Sequence, residues 1–252
     1  MRAGRAMPGL SQPAAARREE HLLLAYPGRD IAVTAVTVVL TAAIFAAVAS
    51  PSALAHIQHL DNDWLRLMVT HQSGPVTALA KVLNFLGLVS VTLPVRIVIA
   101  GYLALRRRWW HLAAFVTAIV MSEAMIGTLK GIYDRPRPPG SLVATSGASF
   151  PSGHSIAATV TVVAAVIALV PPGRRVWWGV GAVAFSALMA LSRAYLAAHW
   201  LSDAIAGVLL GTSCALLAAL VVGALQRRHR RRRPDLAAHG PAPDVTQPAD
   251  QR

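Results

Sequence analysis

Runs of about twenty consecutive apolar residues, separated by short arginine clusters, constrain this chain more than any other feature of its sequence. A helix rises about 1.5 Å per residue, so twenty such residues match a hydrocarbon layer roughly 30 Å thick. Blocks of this kind occupy 31–49, 82–105, 109–129, 154–170, 176–197 and 204–225. They are apolar on every face rather than striped at the helical period, which excludes an ordinary soluble globule. The expected fold class is all-α, a polytopic membrane helical bundle with six transmembrane helices. A composition that is 55% hydrophobic, with a mean hydropathy of +0.50, fits that expectation.

Charge then orients the bundle. With 24 Lys and Arg against 11 Asp and Glu, the net charge of +13 first suggests a nucleic-acid binder, but its distribution argues otherwise. The basic residues gather in the N-terminal arm, at 106–108, at 174–175 and at 227–233, which are alternate ends of the apolar blocks. The opposite ends hold only Arg66, Lys81, Lys130, Arg135, Arg137 and Arg193. Basic loops stay in the cytoplasm, so the chain is expected in the cell membrane, multi-pass, with both termini cytoplasmic. The run 227–233 reads as a topology signal and a contact for anionic lipid, so membrane lipids are expected partners and nucleic acid is not. The oligomeric state is left open.

This divides the chain into a disordered basic arm over 1–29, a six-span domain over 30–226 and a basic, disordered tail over 227–252. Ala47-Val48-Ala49 resembles a signal-cleavage site, but the segment and apolar block before it are too long for a signal peptide. The single Cys214 lies inside an apolar block, which leaves no disulfide framework or thiolate metal site. The outer segment 50–81, with Trp64 on an apolar face, suggests helices lying along the interface. His56, His59, Asp61 and Asp63 in that segment could be offered as metal ligands but read as solvated side chains. Arg96 and Glu123 fall within spans, where charges are expensive, and are expected either to pair between helices or to form a polar pathway beneath the outer surface. Gly207 and Gly211 predict close helix packing.

Three short motifs fall at the outer ends of the spans. Lys130-Gly131-Ile132-Tyr133-Asp134-Arg135-Pro136-Arg137-Pro138 follows the third, Pro151-Ser152-Gly153-His154 opens the fourth, and Ser192-Arg193, His199 and Asp203 link the fifth to the sixth. Lys130, Arg137 and Arg193 suit a phosphoryl group carrying two negative charges. At Ser152 and Gly153 a glycine permits close backbone approach, and a helix N-terminus favours an anion. His199 and Asp203 are four residues apart, so on a helix the carboxylate could orient the imidazole and leave one nitrogen free to attack. His154 remains to protonate a leaving alkoxide.

Together these three motifs resemble the signature of the type 2 phosphatidic acid phosphatase (PAP2) superfamily, which also includes vanadium haloperoxidases. The resemblance spans 130–203 and is closest to the membrane-bound lipid phosphate phosphatase branch, since the soluble branch has no need of a six-span frame. It implies a phosphatase using no metal and no cofactor, in which His199 attacks phosphorus to give a phosphohistidine. Asp203 would orient His199, and His154 would protonate the leaving group and then activate water. Lys130, Arg137, Ser152, Gly153 and Arg193 would hold the phosphoryl oxygens, while Arg135 is an additional cation with no assigned role.

A site at a membrane surface favours an amphiphile whose phosphate reaches the cations while its tail stays in lipid. Phosphatidic acid, phosphatidylglycerol phosphate and a polyprenyl diphosphate such as undecaprenyl diphosphate all meet that description. Two other readings remain: transfer of the phosphoryl group to an alcohol, and a non-catalytic anion or lipid transporter that uses the cations alone. The topology is open to a direct check. In a variant lacking Cys214, a cysteine placed at Ser146 should react with a membrane-impermeant thiol reagent added outside intact cells, and labelling only after the membrane is opened would reverse the orientation.

Overall fold

The computed structural model describes residues 23–24 and 27–231, and every element among them is helical. The helices are α1 (Pro27–Ala49), α2 (Pro51–Thr70), α3 (Gly74–Leu86), α4 (Val89–Leu105), α5 (Trp109–Tyr133), α6 (Gly153–Leu169), α7 (Arg175–Tyr195) and α8 (Leu201–Arg231). Their ends fall where the sequence punctuates the apolar blocks. Pro51 and Pro75 sit in the first turns of α2 and α3, where a missing N–H leaves no helical bond unmade. The Arg106–Arg108 cluster separates α4 from α5, and a single turn of 3-10 helix, Pro172–Arg174, separates α6 from α7.

Four of these helices are long and apolar enough to cross a membrane, or five if α3 and α4 form one bent span. The expected count of six is therefore not reproduced, for two physical reasons. The block 82–105 is not one rod: α3 and α4 meet at Gly87 and Leu88 with a bend of 52°. The block 154–170 forms α6, only 17 residues long, about 26 Å of helix. Two expected boundaries also move. Pro27–Arg29, assigned to the N-terminal arm, already belong to α1, and the basic segment from Arg227 continues α8 as far as Arg231. The rest of the proposed arm and tail lies outside the described residues.

α8 is the axis of the bundle and packs against α1, α5, α6 and α7. Its central contact is with α6, and here glycine is required. A Cβ on Gly207 would stand 2.8 Å from the carbonyl oxygen of Ser152, and one on Gly211 would stand 2.8 Å from that of Ile156. The Gly207-x3-Gly211 pair thus lets two backbones touch, as the sequence led one to expect. Around it Leu103, Phe115, Ile156, Val160, Leu210 and Cys214 form the main apolar core. Arg96 of α4 and Glu123 of α5 pair at 2.7 Å, with Arg96 also donating to the Thr161 hydroxyl at 2.9 Å. Adding a bulky side chain at the α6–α8 contact should separate the helices. Gly211→Val should cost about 1–3 kcal/mol, read as a lowered melting temperature in detergent, and an unchanged Tm would refute the packing role.

Candidate active site

Four helix ends meet at one end of the bundle: the C-termini of α5 and α7 and the N-termini of α6 and α8. The loop from Asp134 to Ser152 and the short link from Leu196 to Trp200 close over them. Left-handed backbone at Asp134 (φ 35°) and Ala197 (φ 50°) turns the chain out of α5 and α7. The two loops are stitched together. Leu142 N–H donates to the Leu196 carbonyl at 2.9 Å, the Trp200 indole N–H donates to the Pro136 carbonyl at 2.8 Å, and Ser152 N–H donates to the Asp203 carbonyl at 3.1 Å. All eight residues singled out in the sequence come from these ends and loops.

Lys130 and Arg137 converge on one backbone atom, the Ala148 carbonyl oxygen, at 2.9 and 3.2 Å. Arg137 also donates to the carbonyls of Gly147 (2.9 Å), Ser146 (2.8 Å) and Ala198 (2.6 Å). Arg193, 2% exposed, donates to the side-chain oxygen of Asn84, and its Nε has no hydrogen-bond partner. Among the described residues the three cations therefore have only neutral hydrogen-bond partners. Their charges stay available to an anion. Burial holds the Arg137 guanidinium below its ordinary value, with Asp203 pulling the other way.

His199 lies in the link before α8, not on the helix, so one-turn spacing does not govern its contact with Asp203. Its Nδ1 is 2.7 Å from the Ser149 carbonyl oxygen and 3.7 Å from Asp203 Oδ2. The expected direct hydrogen bond to Asp203 gives way to one to a backbone carbonyl, with the carboxylate as a nearby charge. A carbonyl only accepts, so Nδ1 carries the proton and Nε2 keeps its lone pair. Nε2 accepts a hydrogen bond from Arg137 Nη1 at 3.2 Å. Burial pushes the imidazole down from 6.5 to about 4, opposed by Asp203 and assisted by Arg193 and Arg137.

His154, in the first turn of α6, lies within electrostatic range of Arg193, His199, Arg137 and Lys130, and its Nε2 has no hydrogen-bond partner among the described residues. Two buried polar atoms at one place, His154 Nε2 and Arg193 Nε, fit a site built for a ligand. Ser152 serves first as the N-cap of α6: its oxygen accepts from Ser155 Oγ at 3.0 Å and from Ser155 N–H at 3.4 Å. Gly153 is not demanded by protein packing, since a Cβ there would meet only Ile126 at 3.9 Å.

Several participants carry no sequence signal. Asn84 and Gly87 come from the α3–α4 bend, where a Cβ on Gly87 would stand 2.7 Å from His154 Cδ2. Ser149 contributes its carbonyl to His199 and its hydroxyl to Asp203. Arg135 and Asp61 are both buried and bonded to each other at 2.8 Å, so Asp61 is not the solvated surface acid its sequence context suggested. Among the described residues no group of three or more His, Cys, Asp or Glu could hold a metal ion.

Residues 111–227 match the family model described as the PAP2 superfamily. Two solved structures share the fold. One is the transmembrane PAP2-type phosphatidylglycerolphosphate phosphatase of Bacillus subtilis, 23% identical, with a TM-score of 0.65 over 79% of this chain and 98% of its own. The other is Aquifex aeolicus LpxE, 21% identical, with a TM-score of 0.53 over 63% of this chain and 94% of its own. Among curated proteins none matches the sequence significantly.

The depressed value of His199 has a consequence for stability that needs no substrate. Its folded value lies below the ordinary 6.5, so unfolding takes up a proton between about pH 6.5 and pH 4. Stability from this group is complete above 6.5 and falls with pH through that window. Thermal melting at pH 7 and pH 4.5 should show a smaller loss in His199→Asn than in the wild-type protein. Equal losses would mean that His199 does not titrate in this way.

Proposed function

We propose that the protein, whose residues 111–227 match the PAP2 superfamily model within a bundle of membrane-length helices, is an integral membrane lipid phosphate phosphatase working through a phosphohistidine. The observation that carries this reading is the pairing of the cations. Lys130, Arg137 and Arg193 bond to carbonyls and an amide, whereas Arg96 and Arg135 face carboxylates. Charges that no bonded carboxylate cancels, gathered around His199 Nε2, suit a phosphoryl group at the point of attack.

In this mechanism the three cations hold the equatorial oxygens as the negative charge spreads over them. His199 Nε2 attacks phosphorus while Nδ1–H stays on the Ser149 carbonyl, and the cationic phosphohistidine that results is supported by Asp203 at 3.7 Å. His154 delivers a proton to the departing oxygen, then removes one from the water that cleaves the P–N bond. The N-terminus of α6, at Ser152 and Gly153, adds its dipole. No step calls for a metal ion.

The lipid character of the substrate is supported by a groove of about 230 Å³ between α2, α3 and α7. Trp64, Met68, Leu79, Leu83 and Leu188 line it, together with Ser192, the residue before Arg193. An acyl or prenyl tail is the kind of group such an apolar groove accepts. Phosphatidic acid, phosphatidylglycerol phosphate and polyprenyl diphosphates such as undecaprenyl diphosphate are the candidate substrates, with the site on the extracytoplasmic surface and both termini in the cytoplasm. Activity should be measured as phosphate release from these lipids in detergent, with and without an alcohol acceptor to detect transfer.

The two histidines are separable. His199→Ala should abolish turnover and all phosphoenzyme, whereas a transporter would keep its transport. His154→Ala should retain a larger fraction of activity on p-nitrophenyl phosphate, whose leaving group needs little protonation, than on a lipid monophosphate. Activity should persist in EDTA and be inhibited by vanadate. Equal damage by His154→Ala on both leaving groups, or an acid-labile phosphoenzyme in His199→Ala, would reverse the assigned roles.

A further inference from the structure

Beside the cations with neutral partners lies a second polar cluster built in the opposite way. Arg135, 4% exposed, spends both of its terminal nitrogens on side chains from two other elements. Nη1 donates to Ser202 Oγ at 2.7 Å and to Asp203 Oδ1 at 2.6 Å. Nη2 donates to Gln58 Oε1 at 2.7 Å and to Asp61 Oδ2 at 2.8 Å. The guanidinium also stands 5.6 Å from the centre of the Trp200 ring. Asp61, 3% exposed, accepts the Ser202 N–H at 2.9 Å and so caps the first turn of α8. The cluster therefore ties α2, the loop after α5 and the start of α8 into one unit. None of Gln58, Asp61, Arg135 or Ser202 was among the residues assigned chemistry from the sequence.

Its geometry reaches His199 by two routes. Through its side chain, Arg135 takes Oδ1 of Asp203, which fixes the carboxylate plane and leaves Oδ2 for the Ser149 hydroxyl, the Trp200 N–H at 2.9 Å and the approach of His199 Nδ1 at 3.7 Å. Through its main chain, the Arg135 carbonyl accepts the Ser149 N–H at 2.7 Å. Ser149 then offers its own carbonyl to His199 Nδ1. Both groups that face Nδ1 are thus placed by one residue.

We propose that Arg135, anchored by Asp61 of α2, is a positioning residue for His199: it sets Asp203 and Ser149 so that Nδ1 stays protonated and Nε2 points toward the phosphoryl site. This rests on the reading of His199 as nucleophile. A lysine at 135 keeps the charge but cannot span Asp203 and Asp61 with one planar fork. Bidentate geometry, not charge alone, is what the position uses. A residue that acts through Asp203 also has nothing further to lose once Asp203 is disabled, whereas a purely structural staple would weaken the fold independently of it.

The test uses the full chain in detergent, with phosphate release from dioleoyl phosphatidic acid as the activity probe and melting temperature as the check on folding. R135K should lower kcat about 10- to 100-fold while KM stays within about 3-fold of wild type. Added to D203N, it should lower kcat by less than about 2-fold further. In protein labelled with ¹⁵N-histidine, the Nδ1–H resonance of His199, assigned through H199N, should shift or broaden in R135K and in D61N. Should R135K fail to melt cooperatively, D61N, which exchanges one oxygen for an amide, carries the kinetic test with the same expectation. Wild-type kcat in either variant, losses that multiply in the D203N background, or an unmoved Nδ1–H resonance would overturn the proposal. Wild-type protein that releases no phosphate would refute the phosphatase reading instead, and the resonance would still decide whether Arg135 places His199.

Discussion

Asp203 is fully buried at the start of α8, bonded to Arg135 and within electrostatic range of Arg137 and Lys130. An ionised carboxylate out of water is tolerated only when its oxygens are occupied, and here Arg135, Ser149 and the Trp200 N–H occupy them. Its position at a helix N-terminus adds the favourable end of the macrodipole. Because these donors come from the loop after α5, the approach to α6 and the link after α7, satisfying one side chain fixes three segments at once. The catalytic geometry proposed above is thus a by-product of burying a charge. Removing Asp203 would release those segments as well as the charge, which is why its isosteric amide is more informative than a truncation.

The same segments could not converge without the contact between α6 and α8. Gly207 faces the Ser152 carbonyl and Ser155, so the backbone of α8 touches the N-terminal turn of α6, the turn that bears Ser152, Gly153 and His154. A spacing set by larger side chains would carry His199 and Asp203 away from His154 by an ångström or more, a displacement large on the scale of a reacting bond. Packing and chemistry are linked a second time at Gly87, where the α3–α4 bend lets His154 pack flush against backbone and delivers Asn84 to Arg193. The bend that breaks the second apolar block is the feature that lets α3 contribute to the site.

Much of this was legible in the sequence. Apolar runs and arginine punctuation placed most helix ends to within a few residues, because main-chain polar groups in a hydrocarbon environment leave few alternatives to helices. The Arg96–Glu123 pair was legible for a related reason: two lone charges in apolar blocks at similar depth have little choice but each other. The bend at Gly87 was not, since an apolar run reports burial in lipid but says nothing about the direction of the axis. Nor was the hydrogen bond of His199. A four-residue spacing implies one turn only if both residues are helical, and α8 begins two residues after His199.

Arg135 and Arg137 show where sequence reading runs out. They sit two residues apart in one proline-rich loop, and nothing local separates their roles. What separates them is the partner each one meets after folding. Arg137 turns to the carbonyls of Ser146, Gly147, Ala148 and Ala198, which bind its donors but leave its charge standing. Arg135 turns the other way, to Asp61, brought from α2, and to Asp203 at the head of α8, and its charge is taken up by two carboxylates. Alternation along a β-type extended loop would send neighbours at i and i+2 toward one side, whereas the polyproline-like backbone that Pro136 favours between them turns their side chains apart. One loop thereby supplies a cation whose hydrogen-bond partners are all neutral and a cation that holds the framework through carboxylates. The difference resides in long-range partners rather than in residue type.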